Sequence, residues 1–348
     1  WPGASPKEEE FFDKAKKELK LKNAKLVSFG STRKLNIKVE EDPQVKALVD
    51  AGTEYVCIVG KSSYLHITKA IETDVEEAIK MATDTIEYLK SNGKKVFFDA
   101  EHFFDGYKEN KEVSYKILDA VINEGVDCFI FCDTNGGTLP HEVTEILGEI
   151  TKKYDKQKFG VHFQNDNGCA VPNSMAAVNL GVDHVQGTMN GYGERTGNAD
   201  LCTLLPNLTL KMEHDTVPLE SLEKLTPIAN HIAELVNVAI DSRHPYVGSS
   251  AFTHKAGLHA SGMAKDSSLY EHIDSSKVGN YTRTTVSELA GRASVITKAK
   301  EFNIELSNED AKKLIEEVQN LEHQGFQFEA ADGSLFLLMN KVQGISPD

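Results

Sequence analysis

The feature that most limits what this chain can fold into is an alternation that runs from residue 5 to residue 213. Short apolar runs rich in Val, Ile and Phe are each followed by a longer stretch with helical spacing. The runs predict strands at Lys25–Phe29, Tyr55–Gly60, Val96–Glu101, Asp127–Cys132, Phe159–Gln164 and His184–Thr188. They show little polar alternation, as strands covered on both faces do. Between them, Ser5-Pro6-Lys7-Glu8 and Thr73-Asp74-Val75-Glu76 have the composition of helix starts, and Gly93 and Gly125 sit where helices end. Val75, Ala78, Ile79, Ala82, Ile86 and Leu89 recur at helical spacing and form one apolar stripe that must pack on something flat. Strand, helix, strand at this spacing means parallel βαβ units, in an open doubly wound sheet or a closed (β/α)8 barrel.

Polar residues decide between these. They gather just after every strand: "FGSTR", "GKSS", "DAEHFFDGYKEN", "CDTNGGT", "HFQND" and "MNGYGERTGN". A site assembled from every successive βα loop is barrel behaviour, whereas an open sheet uses loops near its switch point. The expected fold is therefore α/β, a (β/α)8 TIM barrel. Only six strands are present and the first element is a helix, so the expectation is a barrel lacking its first two strands, within residues 1–213. After residue 213 the pattern becomes a mainly helical appendage over 214–325, with helices near Leu219–Val238 and Asn308–Glu322. The final "FEAADGSLFLLMNKVQG", within 326–348, reads as strand with a turn at Asp332-Gly333.

Charge and cysteines narrow the ligands. A net charge of −15 argues against a nucleic acid or an anionic membrane, both of which need basic patches. No apolar run approaches the roughly 20 residues of a membrane span, and the N-terminus lacks signal-peptide regions, so a cytoplasmic location is expected. Five cysteines without a CxxC pair predict buried thiols rather than zinc or disulfides.

Several residues have the chemistry of a site. His162 and Gln164 share one strand face, which at a barrel mouth turns inward, and an imidazole and an amide oxygen are both metal donors. Alone, such a pair is more often a structural hydrogen-bonding pair. Glu101 ends another strand, where partial burial suits a general base and a salt bridge is the plainer reading. The loop Gly191–Gly197 would open a helix, the geometry of an anion site. His254 and His259 flank a glycine in the appendage and read most simply as surface histidines. No serine elbow or P-loop occurs.

Taken together, "FGSTR", "DAEHFFDGYK", "CDTNGGTLPHE", "NDNGCAVPNSMAAV", "GTMNGYGERTGNADL", "AFTHKAGLHAS" and "FEAADGS" resemble the citramalate synthase branch of the 2-isopropylmalate synthase and homocitrate synthase family. The resemblance implies a metal-dependent Claisen condensation of acetyl-CoA with a small 2-oxo acid, pyruvate in this branch. The divalent cation would be Mg²⁺ or Mn²⁺, with Zn²⁺ or Co²⁺ as alternatives. By position, His162 matches the first His of the family's H-x-H metal pair, Gln164 stands where the second His belongs, and Asn198 matches the Asn ligand. Glu101 and His259 match catalytic residues, and Tyr270 matches a tyrosine that reaches the neighbouring subunit of a homodimer. Arg33, Thr134 and Asn135 are candidate substrate-binding residues of the mouth. The family's first strand, with its metal-binding Asp and keto-polarising Arg, has no counterpart in these residues. Inactivity of the 348 residues alone is therefore expected, and residues 326–348 would open a truncated regulatory domain. Two alternatives stand beside this reading: an isopropylmalate or homocitrate synthase, and a catalytically dead homologue that acts as a dimerisation or regulatory partner.

Overall fold

The structure, a computed structural model, describes residues 1–254, 267–286, 290–329 and 331–345. It divides into two compact units, Trp1–Leu204 and Leu205–Asp348.

The first unit runs α1 (Pro6–Glu18), β1 (Val27–Ser31), α2 (Pro43–Asp50), β2 (Tyr55–Lys61), α3 (Tyr64–Lys69), α4 (Val75–Ser91), β3 (Lys95–Glu101), α5 (Phe103–Glu109), α6 (Lys111–Asn123), β4 (Cys128–Asp133), α7 (Pro140–Lys153), β5 (Phe159–Phe163), α8 (Ala170–Asn179) and β6 (His184–Gln186). All six strands pair in parallel in sequence order. Helix starts follow the expected chemistry, with a one-residue adjustment. Ser5 accepts from the Glu8 N–H at 3.4 Å, and the cap of α4 is Asp74 rather than Thr73, accepting from the Glu77 N–H at 2.8 Å. Gly93 and Gly125 end α4 and α6 with φ of +73° and +80°.

The stripe of α4 packs as its spacing requires. Val75, Ala82, Ile86 and Leu89 are buried, and Ala78 and Ile79 lie against the same core. That core fills the space between helices and one face of the sheet, built from Val56, Ile58, Val96, Phe98, Phe129, Phe131, Val161 and Phe163. The opposite face carries Cys57, Asp99, Ile130, Cys132, His162 and Gln186.

The sheet is strongly curled. Neighbouring strands stand about 4.8 Å apart, so β3 and β6, three steps from each other, would be about 14 Å apart in a flat sheet. Yet the Phe97 and His184 rings are 5.4 Å apart, and Gln186 Nε2 lies 3.0 Å from Asp99 Oδ1. Six parallel strands curled this far form the partial TIM barrel expected. Strand β1 is one edge of the sheet, and the Trp1 ring covers its Phe29 edge-on at 5.8 Å. It starts at Val27 because its ladder starts with the Val27 and Tyr55 pair, while Lys25 turns to Glu54. All five cysteines are free thiols, Cys169 being the one that is half-buried.

The second unit holds helices Leu225–Val236, Arg292–Glu301, Asn308–His323 and Asp332–Val342, and a two-stranded parallel ribbon of Thr253–His254 with Arg283–Thr284. The strand expected at the C-terminus is a helix. Leu335, Leu338, Met339 and Val342 recur at helical spacing and pack into a core with Val295, Leu314 and Val318. The turn expected at Asp332-Gly333 is that helix's first turn. Among the described residues no helix is long and apolar enough to cross a membrane.

Candidate active site

The C-terminal ends of the strands gather polar residues on the concave face. Lys61 pairs in register with Glu101, and His162 with Cys132 on one side and Gln186 on the other. Glu101 is half-buried and ion-paired with Lys61, and its carbonyl accepts the Ser62 hydroxyl at 2.6 Å. The next residue, His102, has φ +58°, an uncommon left-handed conformation for a residue other than glycine. Its ring stacks on His66 with centroids 3.6 Å apart, and its Nδ1 stands 3.9 Å from Asp105, too far for a hydrogen bond.

At the end of β5 the chain makes a short antiparallel contact with the loop before residue 200. The Asn165 N–H donates to the Gly197 carbonyl at 2.8 Å and the Ala199 N–H to the Phe163 carbonyl at 3.1 Å, which sets Gln164 opposite Asn198. Gly197 makes this possible, since its φ is +89° and a Cβ there would collide with the Gly191 carbonyl. Asn198 donates from Nδ2 to the Tyr192 carbonyl at 3.0 Å. Among the described residues its Oδ1 is buried without a hydrogen-bond partner, and so is Oε1 of Gln164. A buried acceptor left unpaired costs about 1–3 kcal/mol, and here two lie on neighbouring residues. His162 Nδ1 is 2.8 Å from Gln186 Oε1.

The other candidate residues are engaged. The Arg33 guanidinium bonds Asp84 at 2.9 Å and Glu77 at 3.0 Å on α4, so it is bound to the helix layer. Thr134 accepts the His102 N–H at 2.9 Å, and Asn135 donates to Asp105 at 2.6 Å, so both tie the β3 and β4 loops together. The anion site expected at Gly191–Gly197 does not form. The following helix begins at Leu201, and its N-terminus is filled by Asp200, whose carboxylate accepts from the Cys202 N–H at 3.0 Å. Arg195 of that loop is held by Asp166 at 2.7 and 3.0 Å and donates to the Thr134 carbonyl at 2.8 Å. In the second unit Tyr270 is exposed and His254 is 3.4 Å from Glu271. His259 lies outside the described residues.

Two residues of the concave face carried no mark in the sequence reading. Asp99 is buried, and that burial raises its carboxyl above the ordinary aspartate value, partly offset by the Cys57 thiol, which donates to Oδ1 at 3.2 Å. Gln186 bridges Asp99 and His162. The available signal was one acid inside the apolar run "KVFFDAE", where an unpaired carboxylate is costly.

Comparison with known proteins fixes the family. Residues 1–232 match the sequence model described as HMGL-like. The chain belongs to the HMGL-like family. Residues 246–325 of this HMGL-like chain match a second model, homocitrate synthase post-HMGL domain-like. It is 50% identical to an (R)-citramalate synthase of Aquifex aeolicus over 100% of its own length and 66% of the relative's. It is 42% identical to one of Geobacter sulfurreducens over 99% and 65%. A probable 2-isopropylmalate synthase of Methanopyrus kandleri is 31% identical over 81% and 55%. The HMGL-like chain therefore spans just under two thirds of the length of the citramalate synthases it matches. In fold it resembles an HMG-CoA lyase of Bacillus subtilis, with a TM-score of 0.57, 19% identity and 67% and 78% of the two chains covered. An HMG-CoA lyase of Acinetobacter baumannii, solved with coenzyme A and 3-methylmalate, gives 0.56 at 16% identity over 69% and 77%.

Proposed function

We propose that this HMGL-like chain carries the catalytic residues of an acyltransferase that condenses acetyl-CoA with pyruvate to give citramalate, on a divalent cation. The observation that carries the reading is the pair of unpartnered oxygens, Gln164 Oε1 and Asn198 Oδ1, at the mouth that also holds His162 and Glu101. These donors fit a cation. Two amide oxygens and one imidazole are all neutral, so the set suits Mg²⁺ or Mn²⁺, with Zn²⁺ or Co²⁺ as alternatives, when substrate oxygens complete the shell. A cation bound there would polarise the keto oxygen of the 2-oxo acid.

The chain's own groups supply the rest. Glu101, placed at the mouth and held by Lys61, is the candidate to manage the proton leaving the acetyl methyl group. The methyl carbon then bonds to C2 of the keto acid, whose oxygen takes up a proton, and water cleaves the thioester to release the thiol of CoA. His259 is proposed as a second acid–base group and Tyr270 as a contribution across a homodimer, both on the motif resemblance. Arg33, Thr134 and Asn135 are proposed to act by shaping the loops they tie rather than by touching substrate. A cytoplasmic location and the division at residues 213 and 325 are likewise proposals.

Pyruvate is favoured over larger 2-oxo acids by similarity to relatives named (R)-citramalate synthase, 50% against 31% for the isopropylmalate synthase. Release of CoA thiol with pyruvate, set against 2-oxoisovalerate and 2-oxoglutarate, tests the reading. Pyruvate should give the highest kcat/KM. A preference for a larger acid would move the assignment to the isopropylmalate or homocitrate reaction, and absence of any condensation by a protein that binds metal would support a catalytically silent homologue.

A further inference from the structure

The concave face contains a hydrogen-bonded chain that crosses four strands. Cys57 on β2 donates to Asp99 Oδ1 on β3 at 3.2 Å, Gln186 Nε2 on β6 lies 3.0 Å from the same oxygen, and Gln186 Oε1 lies 2.8 Å from His162 Nδ1 on β5. We propose that Asp99 and Gln186 are positioning residues that fix the tautomer of His162 and so aim its Nε2 lone pair at the cation. This rests on the reading of His162 as a metal ligand.

The argument follows from what each group can do in a hydrogen bond. Asp99 Oδ1 already accepts from the Cys57 thiol, so it serves as an acceptor in this chain, and the end of the Gln186 amide that faces it is the NH₂. The other end, the carbonyl oxygen, then faces His162. An amide oxygen only accepts, so Nδ1 of His162 must carry the hydrogen, and a neutral imidazole protonated at Nδ1 presents its lone pair at Nε2. Asp99 is well placed to act as the fixed end, because its side chain is buried and a second donor, the Cys57 thiol, holds the same oxygen. The curl of the sheet is what allows it, since Asp99 and Gln186 belong to strands that are not neighbours. Outer partners that orient a metal-binding histidine commonly contribute tenfold to a hundredfold in metal affinity.

Two readouts test this in the purified chain. In the metal-free parent, long-range ¹H–¹⁵N correlation spectra of ¹⁵N-histidine-labelled protein should show His162 protonated at Nδ1. Titration calorimetry with Mn²⁺ should show roughly tenfold to hundredfold weaker binding for Gln186→Leu. Asp99→Asn should lose the single tautomer, because its amide can offer either end to Gln186. An Nε2–H tautomer in the parent would overturn the proposal. So would unchanged Mn²⁺ affinity in Gln186→Leu while His162→Ala binds poorly. If His162→Ala itself leaves Mn²⁺ affinity unchanged, the metal reading fails and the proposal with it, and the tautomer spectrum of the metal-free parent tells the two failures apart.

Discussion

The two faces of the one sheet are built from the same strands and have opposite chemistry. Towards the helices, Phe98, Phe129, Phe131, Val161 and Phe163 are fully buried and belong to one apolar cluster, several of them ring against ring. On the concave side the alternate positions hold thiols, a carboxyl, an imidazole and an amide, joined by directional bonds. A one-residue step along β3 or β5 passes from packing to chemistry, because side chains alternate across a strand. The comparison teaches which substitutions should unfold the protein and which should leave it folded and idle.

The largest effects come from one change on each face. Phe131→Ala on the helix side leaves a cavity among Phe103, Phe129 and Phe159 and should cost about 3–5 kcal/mol in denaturant unfolding. Glu101→Gln on the concave side should lower turnover about 10²–10⁴-fold, with little change in KM for pyruvate and little in stability. Reversal of these two patterns, a stability loss at Glu101 and none at Phe131, would erase the distinction between the faces. A smaller effect is expected from Gln164→His. An imidazole is the better donor to Mn²⁺, Co²⁺ or Zn²⁺, so affinity for Mn²⁺ should rise by roughly tenfold if an acceptor for the second ring nitrogen is at hand. Equal affinities by calorimetry would place residue 164 outside the metal's reach.

The smallest effect concerns the exception to the pattern. Asp133 is a carboxyl buried among the helix-facing residues of β4, with Oδ2 accepting from the Thr138 N–H at 3.0 Å and Oδ1 unpartnered among the described residues. Burial raises its value above that of an ordinary aspartate. A carboxyl with a raised folded-state value contributes stability below its unfolded value and loses that contribution as pH rises through the folded value. Stability of the parent should therefore fall over that window, and Asp133→Asn should flatten the fall, as thermal melts at successive pH values would show. An identical pH dependence in the variant would mean that Asp133 is not the source.

These contrasts also explain what the sequence made legible. Helix starts at Ser5 and Asp74 and the stripe of α4 were readable because capping and periodicity are local. The strands looked covered on both faces because Cys57, Ile130 and Cys132 make the concave side nearly as apolar in composition as the other. The same disguise hid Asp99 and Gln186, whose partnership depends on the curl of the sheet and on strands far apart in sequence. Arg33 follows a strand like the other mouth residues, but its direction depends on two acids of α4 that no spacing rule connects to it. At the C-terminus, "SLFLLM" satisfied strand composition while its apolar residues kept helical spacing, and packing in the second core favoured the spacing.

The central claim is that the buried oxygens at residues 164 and 198 are unpaired because they await a cation. Gln164→Met tests it most directly, since methionine keeps the volume and removes the acceptor. Metal-free stability and Mn²⁺ affinity are measured on the same preparations. The account predicts opposite signs: unchanged or higher stability without metal, because a buried unpaired acceptor has gone, together with weaker Mn²⁺ binding. Lower stability with undiminished Mn²⁺ affinity would contradict it, for the amide would then be a structural group with no part in holding a metal.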